Sequence, residues 1–227
     1  MNPARSRYLP FAIFIAFIAL EQSVLFLRDR GVIGIDPIHL YYLYPVRAIA
    51  VAGLLFRYRR EYCELALKDL LNYPTTIWVS VIGLLVFLLW IKMDWTFPAA
   101  GPPRGYNLLL LPEGPIRAIT GLFRFFGAVL VVPVMEELFW RSFLIRYIVH
   151  EHFETIPLGT FTWPSFLTTV LLFGLEHDNA VAGMMAGLAY NLILYRTRSL
   201  THCVLAHTIT NLALSVYVLS TGNWQFW

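Results

Sequence analysis

Long apolar runs recur along this 227-residue chain, and a run of about 20 mainly apolar residues is what a helix needs to cross the hydrocarbon core of a bilayer. The runs fall at 8–27, 38–56, 76–91, 116–150, 164–176, 181–195 and 200–219, separated by short charged or Pro-rich breaks. The fourth is too long for one straight span and is interrupted at Pro133. None alternates apolar and polar residues as barrel strands do. Backbone groups in lipid must pair within their own segment, so all are expected to be helices. The expected fold class is an all-α membrane protein, a polytopic bundle of about seven or eight transmembrane helices with a polar intramembrane cavity. One membrane domain over 1–227 is expected, with N-terminal spans and an external loop over 1–115 and a C-terminal core over 116–219.

Composition agrees. The chain is 58% hydrophobic and 14% charged, where a soluble domain carries roughly 25% charged residues. Its net charge is +3, but the basic residues sit at segment ends without the aromatic interleaving that grips nucleic acid, so membrane lipid is the expected environment and no nucleic acid partner is implied. Cys63 and Cys203 form no CxxC pair, which argues against a disulfide framework or a cysteine zinc site. Arg5 and Arg7 before the first apolar run resemble a signal sequence, but Glu21 and Gln22 stand where a small-residue cleavage site would follow. An uncleaved first span is expected.

Arg57, Arg59, Arg60 and Lys68 crowd the break after the second run, whereas Arg28, Asp29, Arg30 and Asp36 cancel between the first two. The positive-inside rule then puts the N-terminus and the Arg57 loop in the cytoplasm. With seven spans, Arg141, Arg146, Arg196 and Arg198 are cytoplasmic too, and the C-terminus faces outward. The segment 94–115, with five prolines and three glycines, reads as an external loop, with 107–111 lying on the interface. Gly183 and Gly187 form a G-x-x-x-G that, with Ala182, Ala186 and Ala189, is expected to let helix backbones approach closely.

Ionisable residues inside a bilayer cost about 2.5 to 3.5 kcal/mol each on insertion scales, which makes them functional candidates. Three clusters qualify, all after residue 130. In Glu136-Glu137-Leu138-Phe139-Trp140-Arg141, Glu137 and Arg141 are four apart and share a helix face, so they can pair. Glu136 is turned away and left free to hold water. The alternative is a Glu–Arg staple between helices with Glu136 near the surface. Phe173-Gly174-Leu175-Glu176-His177-Asp178 ends a short apolar run. There His177 is either a catalytic group or a hydrogen-bonded interfacial residue, Phe173 can wall the same pocket, and Glu176 and Asp178 are expected to face water. In His207-Thr208-Ile209-Thr210-Asn211, His207 and Asn211 lie four apart on an apolar helix and need partners. Helix–helix glue accounts for either singly, less well for both beside two further polar clusters.

Together the clusters compose a water-activating site. Glu136, helped by His177, can take a proton from water. His207 and Asn211 can donate to the oxyanion formed when that water attacks a peptide carbonyl, while Glu137 and Arg141 hold their helix in register.

The Glu-Glu-x-x-x-Arg of 136–141, the Phe-x-x-x-His of 173–177 and the His-x-x-x-Asn of 207–211 resemble, in that order, the motifs of the CAAX protease and bacteriocin-processing (CPBP, or Abi) family, which includes the Ras-converting CAAX prenyl endopeptidases. The resemblance covers roughly 116–219. It implies a glutamate-dependent intramembrane endopeptidase without an essential metal or cofactor, in which Glu136 and His177 activate water and His207 and Asn211 form the oxyanion hole. The implied partner is a membrane-associated or lipidated peptide or protein. The short compact chain points to a prokaryotic inner membrane. On this topology His177 falls near the end of its helix away from the cytoplasmic side where the polar cavity is inferred, a conflict that points to a span count or orientation off by one.

Three rival readings remain open from sequence. Glu136, His177 and His207 are a two-histidine, one-carboxylate zinc set, though no H-E-x-x-H is present. Cys203 and His207, four apart, can form a thiolate–imidazole pair. The third is a non-catalytic immunity or scaffold protein that keeps the polar cluster for folding or binding. A transporter is disfavoured, since the polar residues occupy one half and no broken-helix pair recurs in both.

Overall fold

The computed structural model describes residues 3–93 and 105–227. The part of the expected external loop at 94–104 lies outside the described residues. At its far end Leu108–Leu110 forms a single tight turn before the next helix starts at Pro115. Every regular element among the described residues is helical, as expected.

Seven main helices run in chain order: α1 Pro3–Asp29, α2 Leu43–Tyr58, α3 Tyr73–Trp90, α4 Pro115–Val149, α5 Trp163–Leu175, α6 Ala180–Thr197 and α7 Leu200–Thr221. Local sequence sets their ends. Pro74 and Pro164 occupy first turns where a missing N–H costs nothing. Asn72 caps the Thr75 amide at 3.4 Å, Thr162 caps Ser165 at 3.3 Å and Ser199 caps His202 at 3.3 Å, each satisfying an amide the helix leaves free. Arg198 at φ 53° and Gly222 at φ 73° close α6 and α7 in the left-handed conformation.

Five of these stretches are long and apolar enough to cross a membrane, against the seven or eight spans expected: those containing α1, α2, α3, α4 and α7. The other two differ for physical reasons. With 13 residues, α5 is about 20 Å long and falls short of a hydrocarbon core about 30 Å thick. The 18-residue α6 is long enough but less apolar, because it is an interior helix. Ala182, Gly183, Ala186, Gly187, Tyr190 and Asn191 are all buried against protein, so this face has no need to dissolve in lipid. By contrast Leu84, Leu85, Leu88 and Leu89 on α3 and Leu171, Leu172 and Leu175 on α5 remain exposed, as lipid-facing residues do.

After α5 ends at Leu175 the 176–179 turn leads into α6. Asn179 ties this turn to α3 by donating to the Met93 carbonyl and caps α6 through the Ala182 amide at 3.5 Å. The G-x-x-x-G makes the close approach expected of it. A Cβ on Gly183 would stand 2.9 Å from the Gly174 Cα, and one on Gly187 would stand 3.2 Å from Phe173.

Helix α4 is continuous through Pro133 instead of breaking there, because two π-helical turns, Gly127–Val131 and Leu138–Leu144, absorb the distortion. Such turns arise where an i→i−4 ladder is interrupted. Here the Val132 amide reaches back to Gly127 and Pro133 has no N–H, so the Ala128 carbonyl is left without a backbone donor. Asn211 of α7 supplies one at 2.9 Å.

The start of α1 docks on the end of α4. The Arg7 guanidinium donates to both Glu64 oxygens at 2.7 and 2.8 Å and to Ser142 at 3.1 Å, and Phe11 stacks on Phe139 at 3.9 Å. Arg146, read from sequence as cytoplasmic, is buried here, with one amine 2.9 Å from Ser142. Ala66 accepts no place in a span but donates its amide to Thr201 at 2.9 Å, so the starts of α1 and α7 share one end. The Tyr106 amide meets the Trp227 carbonyl at 2.7 Å at the other end, and the described termini therefore lie at opposite ends.

Burial raises the Glu64 carboxyl, but hydrogen bonds from Arg7 and Ser142 outweigh it and leave the group below its ordinary value of 4.5. A depressed folded-state value means the contribution is fully present above pH 4.5 and fades as pH falls through the folded value. Thermal unfolding of detergent-solubilised protein is expected to show a larger stability loss between about pH 7 and pH 3 in the wild type than in Glu64→Gln, whose side chain cannot titrate. Identical pH dependence in the two would refute this role.

Candidate active site

The three motifs converge on the core where α3 to α7 meet. Glu137 lies 0% exposed on α4, and its Oε1 accepts from Arg141, one turn on, at 3.2 Å and meets His207 Nδ1 of α7 at 2.9 Å. Arg141 is equally buried, enclosed by protein and not by solvent. Its other donors reach Asn191 Oδ1 at 3.1 Å and the Gly187 carbonyl at 3.2 Å on α6. Asn191 in turn donates to Thr169 of α5 at 2.9 Å. The guanidinium stands 4.5 Å over the Phe173 ring. One ion pair thereby links four helices.

Glu136, 3% exposed, has a different setting. Among the described residues it makes no hydrogen bond, and its buried Oε2 is unpartnered. His207 Nε2 lies 3.9 Å from Oε2, a gap too long for a direct hydrogen bond and suited to a bridging water. His207 thus sits between the two carboxylates, one on each ring nitrogen. Tyr190 stacks on it at 4.9 Å and 22° and is itself fixed through its hydroxyl to Thr210 at 2.9 Å.

His177 Nδ1 meets the Phe173 carbonyl at 2.7 Å, at the end of α5 where carbonyls lack helical partners. A proton on Nδ1 is donated there and leaves Nε2 as an acceptor. Its ring packs between Phe173 at 4.8 Å and Trp90 of α3 at 5.3 Å. Phe173 also contacts the His207 ring at 6.2 Å, so this one aromatic borders both histidines. Neither His177 nor Asn211 hydrogen-bonds Glu136 among the described residues. Asn211 spends one amide hydrogen on Ala128 and keeps the second.

Sequence reading placed Glu176 in water. It is half-buried and accepts from the Trp140 indole at 3.1 Å, whereas Asp178 is exposed as expected. Tyr190, Asn191, Trp140 and Trp90 were not singled out. For Asn191 the signal was present, since an amide inside an apolar helix needs a partner. For the aromatics there was none, since their role depends on which ring faces them. The Cys203 thiol is directed to the Tyr190 and Ser199 carbonyls at 3.6 and 3.5 Å and His207 to Glu137, so the two do not form a nucleophile–base pair. Among the described residues no group of three His, Cys, Asp or Glu side chains converges in metal-holding geometry. A cleft of about 620 Å³ opens near Lys68, Asp69, Arg196 and His202, and none of the motif residues lines it.

Five helical stretches long and apolar enough to cross a bilayer make this an integral, multi-pass membrane protein, with a carboxylate–imidazole cluster buried among its helices. Residues 118–213 match the family model described as Rce1-like, type II CAAX prenyl endopeptidase Rce1-like. The likeness to CAAX proteases drawn from the three motifs is thereby shown over α4 to α7, less than half of the chain, and it implies a protease. No curated protein and no solved structure matches.

Proposed function

We propose that the chain is an intramembrane endopeptidase in which Glu136 activates the attacking water and the substrate is a membrane-associated or lipidated peptide. The observation that carries this reading is the Glu136 carboxylate, buried without a hydrogen bond among the described residues and 3.9 Å from His207 Nε2. A structural carboxylate at that burial would be expected to be paired through at least one oxygen, as Glu137 is through Oε1.

In this mechanism water lies between Glu136 and His177 Nε2. Its oxygen attacks the scissile carbonyl carbon as its proton passes to Glu136. The resulting oxyanion is held by His207 Nε2–H and the second Asn211 amide hydrogen. Collapse breaks the C–N bond while Glu136 returns the proton to the departing amine. Donation from Nε2 requires His207 to carry a proton on both nitrogens, since Nδ1 already faces Glu137 Oε1 at 2.9 Å. Glu137 is then the counterion that orients the imidazolium. With Glu136 and Glu137 negative and Arg141 and His207 positive, the resting cluster is neutral. Protonation of Glu136 as the oxyanion forms leaves it neutral again, which matters where charge is poorly solvated.

A non-catalytic scaffold accounts for the Glu137–Arg141–Asn191 chain, in which Glu137 is held through Oε1, but not for Glu136, which has no hydrogen bond among the described residues. Direct attack by water predicts no acyl-enzyme. Cleavage of a lipidated peptide in detergent with hydroxylamine present is expected to yield only the free acid by mass spectrometry. A hydroxamate product would show a covalent intermediate and overturn the mechanism.

A further inference from the structure

At the end of the bundle away from Arg7, five buried hydrogen-bond donors converge without acceptors. Tyr44 Oη, Arg47 Nε and Nη1, Arg124 Nε and Trp227 Nε1 are all unpartnered among the described residues. Tyr44 is 1%, Arg47 6% and Trp227 8% exposed. The cluster is built around one ring: the Arg47 guanidinium stands 4.8 Å from the centroid of Tyr44 and that of Arg124 stands 4.6 Å from it. Arg124 also lies 5.1 Å from the Tyr106 ring and 5.6 Å from that of Trp227. Among the described residues the two guanidiniums share one neighbouring carboxylate, Glu21, whose Oε2 is 3.6 Å from Arg47 Nη1 and beyond hydrogen-bond reach. An excess positive charge with donors and no acceptors is the complement of an anion.

The cluster adjoins the proposed reaction centre. A Cβ on Gly127 would stand 2.7 Å from Tyr44 Oη, and the carbonyl of the next residue, Ala128, is the one Asn211 holds at 2.9 Å. The donors and the oxyanion-binding amide therefore meet the same π turn of α4. A ligand seated on these donors is placed to be part of the substrate.

Resting on the proteolytic reading above, we infer that Tyr44, Arg47, Arg124 and Trp227 form a subsite for a carboxylate of the peptide substrate, either its C-terminal carboxylate or an acidic side chain near it. The test uses Glu136→Gln protein in detergent and farnesylated peptides with no acidic side chain, ending in a free carboxylate or in a carboxamide, together with a carboxamide peptide whose last residue is Glu. The free-acid peptide is expected to bind about tenfold more tightly than its carboxamide, the effect of one charge-assisted hydrogen-bonded contact. Arg47→Gln and Arg124→Gln are each expected to bring the two peptides to equal affinity. Recovery of tight binding by the Glu-ended carboxamide identifies any nearby carboxylate as the ligand, and failure to recover identifies the C-terminus. If Arg47→Gln does not fold, Arg47→Lys, which keeps the charge, should reduce the preference and Tyr44→Phe should weaken it further. Equal affinity of all three peptides for the parent protein overturns the subsite. So does a cluster that responds only to phosphatidylglycerol. Absence of cleavage by wild-type protein would defeat the proteolytic reading alone, because the affinity ratio is read without turnover.

Discussion

Turnover is expected to fall about 10³-fold on replacing Glu136 by Gln, with the fold unchanged. The amide keeps the shape of the carboxylate, and no hydrogen bond among the described residues is lost because Glu136 makes none. What disappears is the ability to accept the water proton and the negative charge that faces His207 Nε2 across 3.9 Å. Single-turnover cleavage of a lipidated peptide, followed by mass spectrometry beside thermal unfolding, measures both halves of the prediction. Glu137→Gln is the informative contrast. It touches the carboxylate bonded to Arg141 at 3.2 Å and His207 at 2.9 Å, so it should lower stability as well as rate. If Glu136→Gln retains turnover within about threefold of wild type, this carboxylate is not the base.

The largest effect on stability is expected at Arg141. Arg141→Met removes the donor to Glu137, Asn191 and the Gly187 carbonyl, at 3.2, 3.1 and 3.2 Å, and leaves the Glu137 carboxylate buried with only His207. Breaking a buried pair from one side costs about 3–5 kcal/mol. Alternative partners for polar groups in a membrane-embedded unfolded state pull the figure toward its lower end. Unfolding in detergent, by scanning calorimetry or thiol accessibility of the buried Cys203, is expected to shift accordingly. The double variant Glu137→Gln/Arg141→Met should recover much of the loss, since no uncompensated charge then remains. An Arg141→Met protein as stable as wild type would show that the four-helix link is not a stability element.

Much of this architecture is legible along the chain, because hydropathy and i,i+4 spacing are local properties. The apolar runs located every main helix, and the four-residue spacing of Glu137 and Arg141 anticipated their 3.2 Å pair. The small-residue face of α6 anticipated its close packing on α5. Misreadings arose where a residue's setting depends on another segment. The partners of Arg141 beyond Glu137, Asn191 and the Gly187 carbonyl, lie on another helix and carry no local signal. Glu176 looked solvated until Trp140 reached it at 3.1 Å. Pro133 looked like a break, but α4 runs on through a π turn whose spare carbonyl is filled by Asn211.

By itself the sequence determined a multi-span helical membrane protein, the three polar motifs and the residues that compete for the role of base. The tertiary structure decided which glutamate is committed and which is bare. His207 meets Glu137 across 70 residues of chain, and no local pattern fixes which of two adjacent carboxylates a distant imidazole approaches more closely. It also decided what His177 meets, packing its ring between Phe173 and Trp90. The physical reason is common to both: periodicity assigns a side chain to a face of its own helix, while the rotation and depth of that helix are set by the small residues and aromatic rings packed against it.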